Sequence, residues 1–370
     1  MKALLRSLLL LSLTLLGVAC VKARPVAFFD NPMPLLVWFG QQTRPAGAAY
    51  PPLPSEPKFG SISGLAPDAT TEQWIAAIDD RDRTRVAWLR VSYSGESLTV
   101  TPTRMQQLRA ARGIDARIVT QADLEAIVAL PRGGFILSEE GHAGDNGKDV
   151  WQPVLLRMNA DGVVTHVINY PKEFQITSDR TSGLHPNQGF EGLAVTPRGR
   201  LIAGLEQPLI EDGLTSYDRP APGRLIEFVP SGATFKPGKQ WRYMISPTPR
   251  VEGFDSVCAN GENGLVELLA LSETTLISME RSCQVSADQQ FTANTVMLYS
   301  VELAGTEARK RLLLDFKDLD ARLNPVLPRL ENFEGMTFGP IVNGTKTLLI
   351  ASDDNFRPTQ KMSFLLFGMR

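Results

Sequence analysis

The sequence predicts an all-β fold, a β-propeller, and three observations support that prediction. A short phrase recurs: an acidic residue precedes a small or apolar residue and then Leu, Ile or Met, and about fifteen residues later an apolar run ends in Glu or Asp. Each interval between phrases holds about four strand-like segments. Helical periodicity is nearly absent, and residues 104–112 are the one short helix candidate.

The phrase occurs five times when a weaker first copy is included. Each copy would supply the two innermost strands of one blade. We therefore expect five blades, with a sixth blade of diverged sequence as the alternative. The copies begin and end at Ser63 and the Asp79–Asp80 pair, Glu125 and Glu140, Glu191 and Glu206, Glu267 and Glu280, and Glu334 and Asp353.

The last blade lacks a strand at the end of the chain. The segment 364–367 reads as its third strand, and the sequence stops soon afterwards. The fourth strand must come from elsewhere, and Val26–Phe29 and Leu35–Phe39 are the two candidates. An N-terminal strand paired in the last blade would close the ring and remove exposed sheet edges.

The first residues have the pattern of an export signal. Lys2 and Arg6 precede an apolar run, and small residues follow it before Cys20. We assign residues 1–19 to a signal peptide, 20–57 to an N-terminal segment with the closing strand, and 58–370 to the propeller. Lipidation at Cys20 and plain export both remain open. We expect a periplasmic, outer-membrane-anchored or extracellular monomer that meets a membrane only through such an anchor.

Charge and cysteine content narrow the function classes. The formal net charge of −2, without a long basic run, gives no electrostatic basis for binding nucleic acid. The sequence has no P-loop and no dinucleotide fingerprint. It also has no Gly-x-Ser-x-Gly elbow, and this absence argues against a serine esterase of the α/β type. Cys258 and Cys283 flank one repeat, so they are either a disulfide of an exported protein or two buried thiols.

The ends of the phrase are predicted to meet. The turn around Gly199 would place Glu191 opposite Glu206, with Cβ atoms about 5 Å apart. Repeated around the ring, such pairs would crowd carboxylates at one mouth of a central channel. Like charges need compensation there, either from a cation or from arginines such as Arg81 and Arg281, which follow acidic ends. A ring of structural ion pairs and a metal or substrate site are both consistent with this pattern.

One string carries a family resemblance. Residues Asn187 to Val195, followed by Glu206 to Leu209, closely resemble the phytase-like family of exported bacterial proteins, known as esterase-like activity of phytase. Weaker matches are Ser63–Leu65, Ile78–Arg81, Asp123–Ile127 and Ser138–Gly141, so the resemblance covers roughly residues 60 to 357. It implies phosphoester or ester hydrolysis on a propeller, with Ca²⁺ by analogy to β-propeller phytases.

These observations lead to three functional hypotheses. The first is a Ca²⁺-dependent phosphoesterase or esterase acting on a small molecule. The second is a non-catalytic envelope propeller that binds a ligand or protein, and the third is a metal-dependent sugar-lactone hydrolase. For the first, candidate metal ligands are Glu125, Glu140, Glu191, Glu206, Glu267, Glu280, Glu334, Asp353 and Asp80. Candidate catalytic residues are Glu191, Glu206, Arg81, Arg281, and the loop histidines His142 and His185, whose alternative is a surface role.

Overall fold

The protein is all-β, as predicted. The computed structural model describes residues 31–51, 53–95, 97–144, 149–289, 292–323 and 329–370. The predicted signal peptide, Cys20 and the closing-strand candidate Val26–Phe29 lie outside the described residues. Within the described residues, the helices are α1 (Ala116–Thr120) and α2 (Asp320–Leu323). Short 3-10 turns lie at Lys172–Phe174, Ile210–Asp212 and Phe316–Leu319. Within the described ranges, no helix is both long and apolar enough to cross a bilayer.

The strands follow one another with short connections. The first group is β1 (Leu36–Pro45), β2 (Ile62–Asp68), β3 (Gln73–Ile78), β4 (Arg85–Ser94), β5 (Ser97–Gln107), β6 (Arg109–Ala110), β7 (Leu124–Ala129), β8 (Phe135–Glu139), β9 (Val154–Met158) and β10 (Val163–Asn169). The second is β11 (Phe190–Val195), β12 (Leu201–Leu205), β13 (Ala221–Ser231), β14 (Thr234–Ile245), β15 (Phe254–Val257) and β16 (Gly264–Ala270). The last is β17 (Thr275–Ser286), β18 (Thr292–Ala304), β19 (Glu307–Asp315), β20 (Asn332–Phe338), β21 (Thr347–Asp353) and β22 (Lys361–Met369).

Antiparallel pairing groups these strands into four-stranded units. In chain order, unit 1 is β2 to β5, unit 2 is β7 to β10, unit 3 is β11 to β14, and unit 4 is β16 to β19. Unit 5 is β20, β21, β22 and β1, because β1 pairs with β22 along its length. The two-residue β6 adds to β10, and β14 pairs briefly in parallel with β19, which joins units 3 and 4 into one continuous sheet.

The first strand of each unit lies innermost. β2 packs beside β7, β7 beside β11, β11 beside β16, β16 beside β20, and β20 returns to β2. Apolar clusters fill the spaces between adjacent units, such as the cluster that includes Trp88 of unit 1 and Leu137 of unit 2. Inner strands are therefore buried on both faces, which explains why they read as continuous apolar runs rather than as alternating ones.

The helix predicted at residues 104–112 is wrong. Most of this segment extends β5 and then forms β6. Arg104 lies opposite Trp88 on β4, and its guanidinium lies 3.6 Å from the centre of the Trp88 ring. Cross-strand pairing and this cation–π contact therefore favour the extended conformation over a weak local helical preference.

Every inner hairpin carries a β-bulge at the recurring phrase. In unit 3, Phe190 pairs with Leu205 and Gly192 with Gly204, so Glu191 is an extra residue without a cross-strand partner. The predicted direct pairing of Glu191 with Glu206 is therefore wrong, because the bulge shifts the register by one residue. Equivalent shifts occur at Ser63, at Glu125 with Ala126, at Val266 and at Glu334.

In units 1, 3 and 5 a glycine follows the bulge residue and allows the inner strands to approach one another. A Cβ atom placed on Gly64 would lie 2.7 Å from the Cα of Ala126 on the neighbouring inner strand. Gly192 and Gly335 face adjacent inner strands in the same way. The Glu-Gly pair of the phrase thus combines a bulge with a close contact between units.

Candidate functional site

Strand register defines which residues are equivalent from unit to unit. The bulge position is held by Ser63, Glu125, Glu191, Val266 and Glu334. A second equivalent position lies on the second strand, one residue beyond the pair that precedes the bulge, and it is held by Asp79, Glu140, Glu206, Arg281 and Asp353. Arg281 and Asp353 are still paired there, with Gly264 and Asn332. We call these two sets, together with Asp123, the acidic ring. The name describes their excess of carboxylates at one end of the inner strands.

The structure corrects the prediction in unit 1. Asp79 donates its backbone N–H to Ser61, as Glu206 does to Gly189, so Asp79 and not Asp80 is the ring residue. The Asp80 carboxylate instead accepts a 2.5 Å hydrogen bond from the buried Arg85. Asp80, the expected ligand, is therefore ion-paired beside the ring, one residue beyond the ring position.

Glu267 lies outside the ring because the phrase in unit 4 is displaced by one residue. Its register equivalent in unit 3 is Gly192, and Val266 holds the bulge. The Glu267 carboxylate accepts hydrogen bonds from the backbone N–H groups of Leu193 and Leu268, at 3.1 and 2.8 Å. This carboxylate ties neighbouring inner strands together, which is a structural role.

Glu280 is displaced in the same way. Its carboxylate accepts hydrogen bonds from the Tyr243 hydroxyl at 2.7 Å and the Asn263 amide at 2.8 Å, and it pairs with Lys310. These partners come from strands and loops of units 3 and 4. Glu280 thus anchors a network between two units, and Arg281 occupies the ring position that the sequence assigned to an acid.

The ring carboxylates form two compact groups. Oxygen atoms of Asp79, Asp123 and Glu125 lie within 4.8 Å of one another. Oxygen atoms of Glu140, Glu191 and Glu206 form a second group with the same limit. The second group is buried, and Glu191 Oε2 has no hydrogen-bond partner. An unpartnered buried carboxylate oxygen is costly, so this geometry fits a cation.

The electrostatics of the ring agree with that geometry. Burial and the charges of Glu206 and Glu334 raise the pKa of Glu191 well above its usual range. Burial raises the pKa of Glu206 to about 7 despite the opposing charge of Arg281. Burial likewise raises the pKa of Glu334 to about 7 and that of Asp353 to about 6. Without a cation, several of these groups hold protons near neutral pH.

Asp79 and Asp123 form a coupled pair beside Arg81. Burial and the Asp123 charge raise the pKa of Asp79. Burial opposes ionisation of Asp123, but hydrogen bonds from Asp79 and Arg81 and the Arg81 charge hold its pKa below its usual range. Asp79 therefore carries the shared proton while Asp123 is ionised. Sequence reasoning named neither residue as a metal ligand, although Asp79 lies at the end of the first phrase and Asp123 is the first residue of the Asp-Leu-Glu string of unit 2.

The two predicted arginines are both at the ring. Arg81 donates from Nε to Asp123 at 2.5 Å and contacts Asn187, and its side chain is 40% exposed. Arg281 is buried and donates from Nη2 to Glu334 Oε1 at 2.6 Å. Burial disfavours the charged form of Arg281, but Glu334 and Glu191 outweigh it and raise its pKa. Two guanidinium groups thus face eight ring carboxylates among the described residues.

A cleft of about 450 Å³ opens beside the first carboxylate group. Its lining includes Asp79, Asp123, Glu125 and Glu140. Basic residues share this lining, namely Lys58, Arg81, Arg83 and Arg85. Cations from the segment before β2 and from the connection between β3 and β4 therefore converge with carboxylates of units 1 and 2.

The other end of the inner strands is apolar. A narrow space there is lined by residues such as Leu65, Leu193, Leu268 and Met336. The polar site is therefore confined to one end of the central region, where the bulges lie.

The predicted histidines lie outside the cleft lining. His142 stacks on Trp151, and its pKa is lowered by burial and by the Arg81 charge. Burial also lowers the pKa of His185. The charges that act against this lowering belong to Glu262 and Glu211, which are not ring carboxylates. Both imidazoles are neutral at pH 7, and of the two histidines only His142 lies beside the acidic ring.

A disulfide supports the wall of the ring. Cys258 and Cys283 are bonded, with Cα atoms 5.4 Å apart. The loop they close leads to Gly264, where a Cβ atom would lie 2.9 Å from Glu206 Cγ. Leu265 donates its backbone N–H to the Glu206 carbonyl at 3.0 Å. The cross-link therefore holds the segment against which Glu206 packs.

Comparison with known proteins gives one strong match. A family model described as "Phytase-like: Esterase-like activity of phytase" matches residues 57–356. No curated protein sequence matches the chain significantly.

Two solved structures are distantly similar to this chain. An endo-arabinase from Bacteroides thetaiotaomicron VPI-5482 aligns with 89% of this chain and 96% of its own at 12% identity, with a TM-score of 0.46. The catalytic domain of a GH62 alpha-L-arabinofuranosidase from Coprinopsis cinerea aligns with 89% of this chain and 97% of its own at 10% identity, with a TM-score of 0.36. Scores this low carry no inference about the activity of this chain.

Proposed function

Since the chain belongs to the phytase-like family, described as esterase-like activity of phytase, we propose that it is a Ca²⁺-dependent hydrolase of small phosphoesters or esters. The reaction would occur at the acidic ring and in the adjoining cleft. The observation that carries this proposal is the buried group of Glu140, Glu191 and Glu206, in which Glu191 Oε2 has no partner.

The donor set fits a hard divalent cation. Carboxylate oxygens are the ligands that Ca²⁺ prefers, and neither group contains sulfur or imidazole that would favour a softer metal. Glu140, Glu191 and Glu206 would hold one ion, and Asp79, Asp123 and Glu125 would hold a second. A bound ion of this kind supplies charge stabilisation and lowers the pKa of water.

The basic side of the cleft favours a phosphoester over a neutral ester. Arg81 is partly exposed, and the structure gives the exposed Lys58 ammonium no ionic partner in the described part of the chain. Guanidinium and ammonium groups of this kind bind phosphate oxygens. These two residues would orient the phosphate, while Arg281, buried against Glu334, would limit repulsion within the ring.

His142 would act as a proton acceptor at the edge of the site. It is neutral at pH 7 because its pKa is lowered, and Arg81 and Asp123 are close enough to influence it. His185 has no comparable link to the ring and keeps a structural role in this proposal.

The non-catalytic alternative also has a specific observation in its favour. Glu267 and Glu280, two of the predicted ligands, are fully engaged by backbone and side-chain donors between units. If ion pairing and protonation also satisfy the remaining carboxylates, the ring needs no metal.

The test is hydrolysis of 4-nitrophenyl phosphate and 4-nitrophenyl acetate, each with Ca²⁺ and with a chelator. We expect phosphate hydrolysis that chelation abolishes. Glu191→Gln should weaken Ca²⁺ binding by at least about 10- to 100-fold, the loss typical even of residues that only support a metal ligand. Exposed Glu302→Gln is the matched control.

A second readout does not depend on turnover. Ca²⁺ binding to protonated carboxylates should release protons in weakly buffered solution at pH 7. Activity unaffected by chelation would exclude the metal mechanism. Proton release without hydrolysis of either substrate would support a Ca²⁺-binding propeller that is not an enzyme.

The ring order of the units supports a further structural proposal. We propose that the five units are the blades of a five-bladed propeller closed by β1. The pairing of β1 with β22 and the return contact of β20 with β2 support this closure. Deletion of residues 36–45 should then cause aggregation through the exposed edge of β22.

A further inference from the structure

A second cleft lies at the opposite ends of the inner strands, away from the acidic ring. It is formed by the hairpin turns at 130–132, 197–199 and 230–235, together with Arg157, and has a volume of about 290 Å³. We call it the arginine groove. The turns belong to units 2 and 3, and they meet around Gly199, where a Cβ atom would lie 3.9 Å from Pro131 and 4.0 Å from Pro230.

The groove has positive charge without a compensating acid. Arg132, Arg157 and Arg198 line it, and no Asp or Glu does. Arg157 is held in place because its guanidinium donates to the carbonyl of Ala233. Arg132 and Arg198 are exposed, and no ion pair engages their guanidinium groups within the described residues.

The nearby acid Glu273 is already committed. Its carboxylate accepts from Arg200 Nε at 3.0 Å and from the backbone N–H of Arg198 at 2.6 Å. Arg200 also pairs with Glu227. The arginines of the groove are therefore left for an external anion.

The floor of the groove is apolar. Leu130 is half-buried and Phe235 is 8% exposed, while Pro131, Pro197 and Pro230 form rigid edges. The volume is close to the lower limit of about 300 Å³ for pockets that hold small molecules. Guanidinium groups bind carboxylate and sulfonate oxygens in pairs, and an apolar body would cover the Phe235 side.

We propose that the arginine groove binds a small organic anion that has an apolar body. The concave shape favours such a ligand over a flat bilayer surface, which could touch the rim but not the floor. The site is separate from the acidic ring, whose carboxylates would repel the same anion. This inference does not depend on the proposed hydrolase activity.

The probe is 8-anilinonaphthalene-1-sulfonate, followed by fluorescence titration in the presence of chelator. Arg132→Gln and Arg198→Gln should each weaken binding about tenfold, as expected for loss of a hydrogen bond to a charged group. Thr234→Glu should abolish binding, because it places a carboxylate at the groove. Exposed Arg90→Gln and Arg311→Gln are controls that should leave affinity unchanged.

The uncharged analogue N-phenyl-1-naphthylamine separates charge from apolar contact. It should bind more weakly, and the arginine substitutions should not affect it. Equal affinity of the sulfonate for wild type and for a protein with both Arg132→Gln and Arg198→Gln would overturn the proposal. Equal losses of affinity in the Arg90→Gln and Arg311→Gln controls would also overturn it. Arg132-dependent sedimentation with phosphatidylglycerol vesicles, without binding of the free sulfonate, would assign the groove to a membrane surface instead.

Discussion

Replacement of Glu206 by glutamine should stabilise the protein at alkaline pH when no metal is present. Glu206 is 3% exposed and belongs to the buried group with Glu140 and Glu191. The amide has the same shape as the carboxylate but cannot ionise. The substitution therefore removes one charge from the ring while changing its packing little.

The magnitude follows from the pKa of the group. Burial raises the pKa of Glu206 from 4.5 to about 7, against the opposing Arg281 charge. Such a shift corresponds to about 3 kcal/mol. Because the folded-state pKa is raised, this stability is fully present below pH 4.5 and is lost as the pH rises through 7. At pH 8 the glutamine variant should exceed wild type by up to about 3 kcal/mol, and at pH 4 the two should be nearly equal.

The assay is urea denaturation of both proteins in chelator at pH 4 and pH 8, repeated at pH 8 with Ca²⁺. The exposed Glu302→Gln variant serves as the control. Its free energy of unfolding should differ from that of wild type by the same small amount at both pH values. We expect Ca²⁺ to stabilise wild type more than the variant and so to reverse their order. A variant no more stable than wild type at pH 8 in chelator would refute the reasoning, because the ring would then be neutralised by its own arginines.

Three further substitutions probe the ring and its support. Arg281→Gln should destabilise the protein by about 3–5 kcal/mol in thermal or urea unfolding, because it leaves Glu334 buried without its partner. If adding Glu334→Gln to this variant restores stability, the lost ion pair is the cause. Gly64→Ala should cost at least about 1–3 kcal/mol in the same assay, since its Cβ would meet the backbone of the neighbouring inner strand; wild-type stability would contradict the close approach. Reduction of Cys258–Cys283, or replacement of both by serine, should lower stability by about 2–4 kcal/mol and weaken Ca²⁺ binding in calorimetry; unchanged affinity would show that the cross-link does not support the ring.

The sequence predicted the repeated unit well, because apolar runs separated by polar turns depend on local pattern. It could not predict the bulge. One extra residue on one strand leaves the apolar pattern of both strands intact, so Glu191 and Glu206 still read as opposite ends of a simple hairpin. The bulge becomes visible only when the strands are paired in three dimensions.

The position of the hairpin turn, rather than of the acidic residue, identifies the true equivalent of Glu191 in unit 4. Thr196 donates to Arg200 at the hairpin turn of unit 3, and Leu271 donates to Thr275 at the same point of unit 4. Alignment on these turns, rather than on acidic residues, makes Val266 equivalent to Glu191. Turn geometry is the better guide because it fixes the register, whereas an acid can serve either as a ring residue or as a link between strands.

The basic side of the cleft was beyond sequence reasoning for another reason. Lys58 precedes the first strand of unit 1, whereas Arg83 and Arg85 follow its second strand. Their convergence with Glu125 of unit 2 depends on the packing of one unit against the next. No spacing within a single repeat contains that information.

The repeated bulge separates the chemistry of the ring from the strand pairing that supports it. Because the extra residue has no cross-strand partner, its side chain can change while the ladder beside it stays the same. The chain already shows this tolerance, with Ser63, Val266 and three glutamates in equivalent places. Ser63→Glu and Val266→Glu would add oxygen donors, and Glu334→Ser would remove one. Single substitutions at the bulge positions can therefore change the charge and the ion preference of the acidic ring without changing the strand pairing of the fold.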